Sequence, residues 1–511
     1  MPSEALRILF VTSEAFPLVK TGGLADVSGA LPLALRRLGA DVRVLMPGYA
    51  GTANALVGAR VEAELGDVAG LGETRIVSGR MPDTGIPVLL VDCPARFFRD
   101  GGPYQDAEGR DYPDNAERFA LLSHVAAAIA GPAAPLGWTP DVIHANDWHA
   151  GLLPALLPAA RDARPATVFT IHNMAFQGVF PAAVFPALGV PDAAFTPDGL
   201  EYYGQVSFLK AGLRWSDRLT TVSPTYAREI LTPEFGFGME GLLRARAADL
   251  TGILNGIDDV VWDPSTDIVL PANYDHRDLA GKIACKKSVQ AEFGLAQEAG
   301  TPLVAFISRL TDQKMADILP QAIPALAERG AQIAVLGAGD PAIEAQLRTV
   351  AAQYPRVVAV RIGYSEPLAH RLYAGADILL APARFEPCGL AQLYAMRYGT
   401  LPVVRPVGGL ADTVTDATEA TLAAGTATGF VFDAPTADGL VGAAARALEL
   451  YQLPIAWRRV QLRAMAEDFG WSRSAEAYLA LYRSLTSPGQ DGEGAETPDA
   501  TPSAADRAAT A

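Results

Sequence analysis

The chain has 511 residues, of which 50% are hydrophobic and 19% charged, and its formal net charge is −16. This length exceeds one ordinary hydrophobic core, so we expect two large domains. The acidic balance argues against a nucleic-acid partner, because DNA and RNA are themselves polyanions.

Cysteine usage and leader segments bear on the compartment. Cys93, Cys285 and Cys388 lie far apart and form neither a CxxC pair nor a metal-finger spacing, which favours a reducing environment. The N-terminus runs almost directly into a predicted strand, without a charged leader and apolar stretch. No apolar run approaches the ~20 residues that a membrane span needs. We therefore expect a cytoplasmic protein with no membrane partner.

The first half of the chain alternates short apolar runs with helical segments. A helix is predicted over Leu24–Leu38, ended by Gly39. The predicted strands are Arg7–Thr12, Asp41–Met46, Val88–Cys93, Asp141–His144, Val168–Ile171 and Leu219–Val222. Buried apolar strands that alternate with helices indicate a parallel, doubly wound sheet.

The first predicted strand is followed by a loop that suits a phosphate group. Gly22 and Gly23 open the helix, so backbone N–H groups and the helix dipole can face an anion there. Lys20 lies just before them and is either a phosphate ligand or a solvated loop lysine.

Two later strands end in polar and aromatic residues, HANDWHAGLLP and HNMAFQG. Trp148 offers an aromatic face for a sugar ring, or else packs in the core. His144, Asp147 and His149 do not form a metal site, because their spacing crosses a strand end and a helix start. A long polar loop, Arg99–Phe119, is predicted to be functional because it exceeds a plain connection.

The second half repeats the strand and helix alternation. The predicted strands are Pro302–Ile307, Ile333–Leu336, Arg356–Ile362, Ala376–Pro382, Leu401–Arg405 and Gly429–Phe432. Helices are predicted over Leu390–Tyr398, Thr436–Leu453 and Phe469–Leu485, and a loop over Glu419–Thr426. Residues 487–511 lack large apolar side chains and are predicted to be disordered.

Strand ends in this half carry complementary chemistry. Arg309 and Lys314 suit a diphosphate, or are two surface charges. Glu386 suits sugar hydroxyls, or is a solvated cap. Gly408 and Gly409 begin a near-copy, GGLAD, of residues 22–26 at the next strand end. Ligands of open α/β sheets bind at such strand ends, so a sugar linked to phosphate fits both groups.

These stretches together resemble the bacterial glycogen synthases and the related plant starch synthases. The resemblance runs from about Ile8 to Leu485 and includes KTGGLADV, HANDWHAGLLP, TIHNMAFQG, EYYGQVSFLKAGL, TPEFGFGMEGLL, NGIDDVVWDPSTD, SRLTDQK, IGYSEPLAHRLYAGAD, RFEPCGLAQLYAMRYGTLPVV and GGLADTV. It implies an α/β chain with two Rossmann-like, doubly wound domains facing a deep cleft, the B-type glycosyltransferase fold. Residues 1–255 with a returning helix, 469–485, would form the acceptor-side domain, and 256–468 the nucleotide-sugar-binding domain.

The resemblance also implies an activity. We expect transfer of glucose from ADP-glucose to the non-reducing 4-hydroxyl of an α-1,4-glucan such as glycogen, with retention at the anomeric carbon and no metal or other cofactor. Two alternatives stay open. One is a related enzyme that uses UDP-glucose or a small maltosyl acceptor, and the other is a non-catalytic glucan-binding protein.

Individual roles follow from the matching motifs. The catalytic residues are expected to be Lys20, His172, Arg309, Lys314 and Glu386. The donor is expected to contact Lys20, Gly22, Gly23, Asn255, Arg309, Lys314, Tyr364, Glu386, Cys388, Gly389, Gly408 and Gly409, with Tyr364 near the adenine. The acceptor is expected to contact Asp26, Tyr104, Asp147 and Trp148.

Two positions depart from the family pattern. Met315 stands where the family usually has Gly, and Val407 where Thr is common. Tyr394 agrees with the glycogen synthases, whereas sucrose- and trehalose-type transferases have a second Glu at that position. Since no motif residue is an evident carboxylate nucleophile, we favour same-face substitution over double displacement.

Overall fold

The computed structural model describes residues 5–486, and the segment 487–511 lies outside the described residues. Its largest sheet has nine strands. In spatial order these are Leu250–Gly252, Arg218–Thr221, Ala166–Ile171, Val142–Asn146, Arg7–Val11, Asp41–Pro47, Pro87–Asp92, Glu73–Arg80 and Val57–Asp67. The first seven are parallel, and the last two form an antiparallel edge.

A second sheet has six strands, all parallel. In spatial order they are Val358–Ile362, Gln332–Gly337, Leu303–Ile307, Ile378–Ala381, Leu401–Val404 and Phe430–Val431. A small antiparallel sheet contains Val179–Pro181, Gln205–Ser207 and Glu201–Tyr202. Both large sheets have the parallel strand pairing predicted from the buried apolar runs, which confirms the predicted α/β class.

Helices connect the strands. The longer ones are Gly23–Arg37, Asn115–Ala130, Phe208–Trp215, Ala280–Glu292, Leu319–Glu328, Pro341–Gln353, Glu366–Gly375, Ala437–Tyr451, Pro454–Met465 and Trp471–Thr486. Shorter α-helices are Thr52–Ala55, Pro94–Phe97, Leu153–Leu156, Pro224–Glu229, Glu240–Ala245, Ala391–Arg397, Gly408–Thr413 and Glu419–Ala424. Several begin at side-chain caps, as at Thr436, whose hydroxyl accepts from the Gly439 N–H.

The buried apolar residues separate into two cores. The first extends from the N-terminal sheet to Ile253 and includes Trp471, Tyr478 and Tyr482 of the last helix. The second spans Ile257–Met465. The chain therefore passes twice between the cores, and the two passages are hydrogen-bonded through the Ile257 N–H and the Phe469 carbonyl, 2.8 Å apart.

One local prediction is wrong, and two strands were missed. Glu419–Thr426 was predicted as a loop, which is wrong, because Thr418 and Thr421 form a capping box that starts a helix over Glu419–Ala424. The edge strands Val57–Asp67 and Glu73–Arg80 were not predicted. Within residues 5–486, no helix is both long enough and apolar enough to span a membrane.

Candidate active site

The loops at the carboxyl ends of the two sheets meet across a cleft. Lys20, after strand Arg7–Val11, contacts Glu366, after strand Val358–Ile362, at 2.8 Å. The Ser223 hydroxyl, after strand Arg218–Thr221, donates to the Pro387 carbonyl at 2.7 Å. Two of these loops were predicted from the sequence to bind a ligand: the one after Arg7–Val11, which carries Lys20, and the one after Ile378–Ala381, which carries Pro387.

Lys20 lies at the centre of a charged cluster in this cleft. Its Nζ donates to Asp26 Oδ1 and to Glu366 Oε2, each at 2.8 Å. The Tyr364 hydroxyl donates to the same Glu366 oxygen at 2.8 Å. Burial opposes ionisation of Glu366, but the bonds from Lys20 and Tyr364 outweigh it and hold its pKa below the usual range. Glu366 therefore joins a predicted phosphate ligand to the residue predicted near the adenine.

A buried carboxylate shapes the loop that carries Lys20. Glu14 is 3% exposed, and its Oε2 accepts from both the N–H and the hydroxyl of Thr21, at 2.5 Å. Burial raises the pKa of Glu14 despite these bonds. The bonds fix the backbone immediately before Gly22 and Gly23, both of which are exposed.

The second sheet supplies a cation and a carboxylate in direct contact. Lys314 is ion-paired with Glu386, and Glu386 is only 9% exposed. Arg309 is exposed and has a long, 3.5 Å contact with Gln313. The structure thus brings Lys314 and Glu386 together, while the Arg309 guanidinium lies toward solvent.

One buried polar atom near the Glu386 loop has no hydrogen-bond partner among the described residues. Asn255 is buried, and its Oδ1 accepts no hydrogen bond from the described residues. Burial raises the pKa of the neighbouring Cys388 thiol to about 12, so it is protonated and a poor nucleophile. Gly389 has φ +73°, a conformation that favours glycine.

The second Gly-Gly turn is engaged by the protein itself. The Gly408 N–H faces the Glu229 carboxylate, with distances of 3.0 and 3.1 Å to its two oxygens. The Gly409 N–H donates to the carbonyls of Glu386 and Pro387, both at 3.2 Å. The role of these amides toward a donor phosphate stays a prediction, and at Gly408 the ligand would have to displace Glu229.

On the first domain, Asp147 organises the strand end. It has φ +55°, and its Oδ1 accepts from the His172 N–H at 2.7 Å. Burial raises the pKa of Asp147 to about 7, although the N–H groups of His172 and Asn173 oppose the shift.

The hydrogen bonds of Asn146 fix the tautomer of His172. Asn146 Nδ2 donates to the carbonyls of Val11 and His144, so its Oδ1 accepts from His172 Nε2, 3.0 Å away. Burial lowers the pKa of His172 to about 3. His172 is therefore neutral, and Nδ1 carries the lone pair that can accept a hydroxyl proton.

The predicted acceptor residues form an aromatic cluster. The ring of His149 stacks on Tyr104 with centroids 4.7 Å apart, and it lies 4.0 Å from the Trp148 ring. The Tyr104 hydroxyl shares a 2.7 Å hydrogen bond with the Ser13 hydroxyl. Trp148, Tyr104 and Asp147 therefore lie together beside His172, whereas the fourth predicted acceptor residue, Asp26, lies with Lys20.

The histidines excluded as metal ligands have structural partners. His144 shares hydrogen bonds with Thr170 and with Tyr482, at 2.5 and 2.7 Å. His149 is buried in the aromatic cluster. Across residues 5–486, no group of three or more His, Cys, Asp and Glu side chains is arranged to hold a metal ion.

One of the two departures from the family pattern, Met315, has a structural explanation. Met315 is buried and has φ +50°, the left-handed conformation that favours the family's glycine. Tyr394 stacks on Trp262, with ring centroids 3.7 Å apart, within the second core. Val407 is buried just before the Gly408 turn.

Sequence reasoning missed three acidic residues of this site, Glu14, Glu229 and Glu366. Glu14 and Glu366 each follow a strand by a few residues, a signal that could have marked them. Glu229 gave no such signal, because its contact with Gly408 depends on how the domains meet.

Known proteins match the chain over nearly its whole length. A family model described as the starch synthase catalytic domain matches residues 7–245, and one described as glycosyl transferases group 1 matches residues 301–449. The glycogen synthase of Paramagnetospirillum magneticum is 55% identical over 486 residues, covering 95% of this chain and 98% of that protein. The glycogen synthase of Burkholderia thailandensis is 56% identical over 481 residues, covering 94% and 90%.

A solved structure gives the same result. The catalytic domain of starch synthase IV from Arabidopsis thaliana, bound to ADP and acarbose, matches with a TM-score of 0.85 and 32% identity, covering 94% of this chain and 100% of that one. These matches confirm the resemblance and the B-type glycosyltransferase fold. The chain belongs to the glycogen and starch synthase family of glycosyltransferases.

Proposed function

We propose that the chain transfers a glucosyl unit from ADP-glucose to the non-reducing 4-hydroxyl of an α-1,4-glucan, with retention and release of ADP. The observation that carries the proposal is the contact between Lys314 and Glu386. A cation suited to phosphate and a carboxylate suited to sugar hydroxyls stand side by side, as a sugar linked to phosphate requires. The ADP bound to the Arabidopsis relative supports the same nucleotide here.

The proposed donor contacts come from both domains. Lys314 and Arg309 offset the charge that grows on the leaving ADP, and Lys20 adds a third cation from the opposite domain. Glu386 accepts from glucose hydroxyls, as does the Nδ1 lone pair of His172. The unpartnered Oδ1 of Asn255 is a further acceptor for the donor.

Remaining donor contacts involve backbone and aromatic groups. The exposed Tyr364 ring stacks near the adenine, while the Cys388 and Gly389 backbone and the Gly22–Gly23 turn approach the sugar and phosphates. Asp26, Tyr104, Asp147 and Trp148 bind the acceptor chain.

The proposed reaction occurs on one face of the sugar. The bond between the anomeric carbon and the phosphate oxygen breaks, and the acceptor O4 bonds to that carbon. The acceptor proton passes to the leaving phosphate. Cys388 is protonated and is not the nucleophile. A stable glucosyl–protein adduct, detected by intact mass, would contradict this mechanism.

We further propose that the transfer needs no metal ion or other cofactor, because Arg309, Lys314 and Lys20 supply the positive charge at the phosphates. Turnover should therefore persist after treatment with a chelator. A loss of turnover that added Mg²⁺ restores would contradict this proposal.

The decisive experiment measures nucleotide release from ADP-glucose and from UDP-glucose with glycogen as acceptor. ADP release with glucan elongation supports the proposal, and turnover only with UDP-glucose would replace the donor. Glu386→Ala should lower turnover by orders of magnitude. If wild type binds glycogen but turns over neither donor, the protein is a glucan-binding module instead.

A further inference from the structure

Three large aromatic side chains beside the cleft are exposed. Phe176 is 49% exposed, Tyr203 81% and Phe237 37%. We call these three residues the aromatic patch. Their loops meet at one atom, the Phe237 carbonyl, which accepts from Gln177 Nε2 at 2.9 Å and from the Tyr202 hydroxyl at 3.0 Å.

Two residues of the patch have an unfavourable backbone conformation. Tyr203 and Phe237 both have φ +50°, where bulky residues are rare and glycine or asparagine is preferred. Neighbouring hydrogen bonds stabilise this strained conformation. In one of them, Glu201 Oε1 accepts from the Gly204 N–H at 2.5 Å. Because the Tyr203 ring is exposed, its own burial does not offset this cost, and strained exposed residues of this kind point to ligand binding.

The patch is continuous with the candidate active site on both of its sides. The Phe237 ring lies 5.3 Å from that of Phe385, the residue that precedes Glu386. Gly178, next to Gln177, packs against Trp148 so closely that an added Cβ would lie 2.4 Å from the indole. A glucan chain bound at the aromatic cluster of Tyr104, Trp148 and His149 can therefore extend over the aromatic patch.

We propose that the aromatic patch is a further subsite for the acceptor glucan and binds glucose units distant from the reacting end. Sugar rings present flat apolar faces to aromatic side chains, which suits an extended, uncharged chain. Glu201 and Glu240 lie beside Tyr202, so the local charge disfavours an anionic ligand. This inference rests on the proposed function, because it assigns a second contact to the same acceptor.

The test compares acceptors of different length. Tyr203→Ala and Phe176→Ala should each raise KM for glycogen about three- to tenfold, the range expected for one lost aromatic contact. Their kcat, their KM for ADP-glucose and their kinetics with maltotriose should not change, because a short acceptor does not reach the patch. Tyr203→Phe keeps the ring and should restore the wild-type KM.

A matched control is Ile455→Ala, since Ile455 is an 85% exposed apolar residue on helix Pro454–Met465. Ala keeps the Cβ at position 203, so the backbone strain stays constant in the comparison. An unchanged glycogen KM in Tyr203→Ala, with active wild type, would overturn the subsite. Wild type that transfers glucose to neither acceptor would instead overturn the proposed function.

Discussion

At the scale of single residues, the site is built from carboxylates that are costly to bury. Asp147 is 7% exposed, and its pKa of about 7 shows that burial outweighs its two backbone hydrogen bonds. A folded-state pKa above the unfolded value means that the folded protein binds the extra proton. As the pH rises from about 4 to about 7, Asp147 therefore lowers the free energy of unfolding progressively. Above about pH 7 this destabilisation reaches its full size and no longer changes with pH.

We predict that Asp147→Asn stabilises the fold at pH 8 and impairs function. The amide can still accept the His172 N–H but never ionises, so the free energy of unfolding should rise by up to roughly 4 kcal/mol at pH 8 and change little at pH 4. Urea unfolding at both pH values measures this difference. An equal shift at pH 4 and pH 8 would contradict the assigned titration. Glycogen turnover should fall, because a proposed contact of the acceptor is altered.

We also predict how substitutions in the Lys314–Glu386 ion pair change the free energy of unfolding. Lys314→Met leaves a buried carboxylate without its partner and should lower the free energy of unfolding by about 1–3 kcal/mol. Lys314→Met with Glu386→Gln should recover most of that loss, while turnover stays low.

Arg309→Ala is the control for this pair, because the Arg309 side chain is exposed. It should change stability by less than about 0.5 kcal/mol while lowering turnover. Equal destabilisation by Lys314→Met and Arg309→Ala would contradict the role of burial.

At the scale of elements, the two GGLAD turns look alike in sequence but differ in packing. A Cβ on Gly408 would lie 1.9 Å from the Glu386 carbonyl oxygen, and one on Gly409 would lie 2.1 Å from that of Cys388. A Cβ on Gly22 would meet nothing within 4 Å, and Gly22 has an extended φ of −154°. The second turn needs glycine for its own packing, whereas the first leaves open space beside Lys20.

We therefore predict opposite effects of one substitution. Gly408→Ala should destabilise the protein and displace the Glu386 loop, because backbone would have to move. Gly22→Ala should leave the melting temperature unchanged but raise KM for ADP-glucose, since the methyl group would occupy the space expected for the donor. Thermal unfolding and donor kinetics on both variants separate the two effects. A normal donor KM in Gly22→Ala would show that this space is unused.

Some strands and loops could be predicted from the sequence, and others could not. Strands such as Ile378–Ala381 were predictable because a buried parallel strand is a continuous apolar run. The edge strand Val57–Asp67 is mostly exposed and its pairing has register shifts, so it has no such run. The Gly-Gly motifs gave the places of the loops, but the Glu229 bond to Gly408 arises only from packing between distant segments.

At the scale of the whole molecule, the chain forms two hydrophobic cores, and the first core contains residues from both ends of the described chain. The last helix completes the first core, where Tyr482 is fully buried and hydrogen-bonded to His144. Burial lowers the pKa of His144 to about 3, so this buried histidine is neutral.

We predict that Tyr482→Ala destabilises the first core by about 3–5 kcal/mol, because a large buried ring is lost. Tyr482→Phe should cost about 1–2 kcal/mol, since only the hydroxyl is removed. Denaturant unfolding should show the shift in one transition while the transition of the second core stays in place. A matching shift of both transitions would mean that the cores unfold together.

Contacts between the domains should determine how far the cleft opens. Asp412 accepts from the N–H and hydroxyl of Thr225 at 2.9 and 2.6 Å, in addition to the Lys20–Glu366 pair. Glu366→Ala should therefore favour a more open cleft and increase the radius of gyration measured by small-angle scattering. ADP should reverse part of that increase, because the donor would join the same two surfaces. An unchanged radius of gyration in Glu366→Ala would contradict this prediction and show that the remaining contacts keep the cleft closed.

The return of the last helix also affects how the protein is made. Ile253 and Trp471 belong to one core, yet the ribosome must synthesise the whole second domain between them. At about 5–20 residues per second, this delay lasts on the order of 10–45 s. During that time the first sheet has emerged with part of its apolar surface uncovered, while the second domain, which is continuous in sequence, can finish folding. The domain that is translated first is thus the last to be completed, and we expect nascent chains that stall before Trp471 to be bound by chaperones.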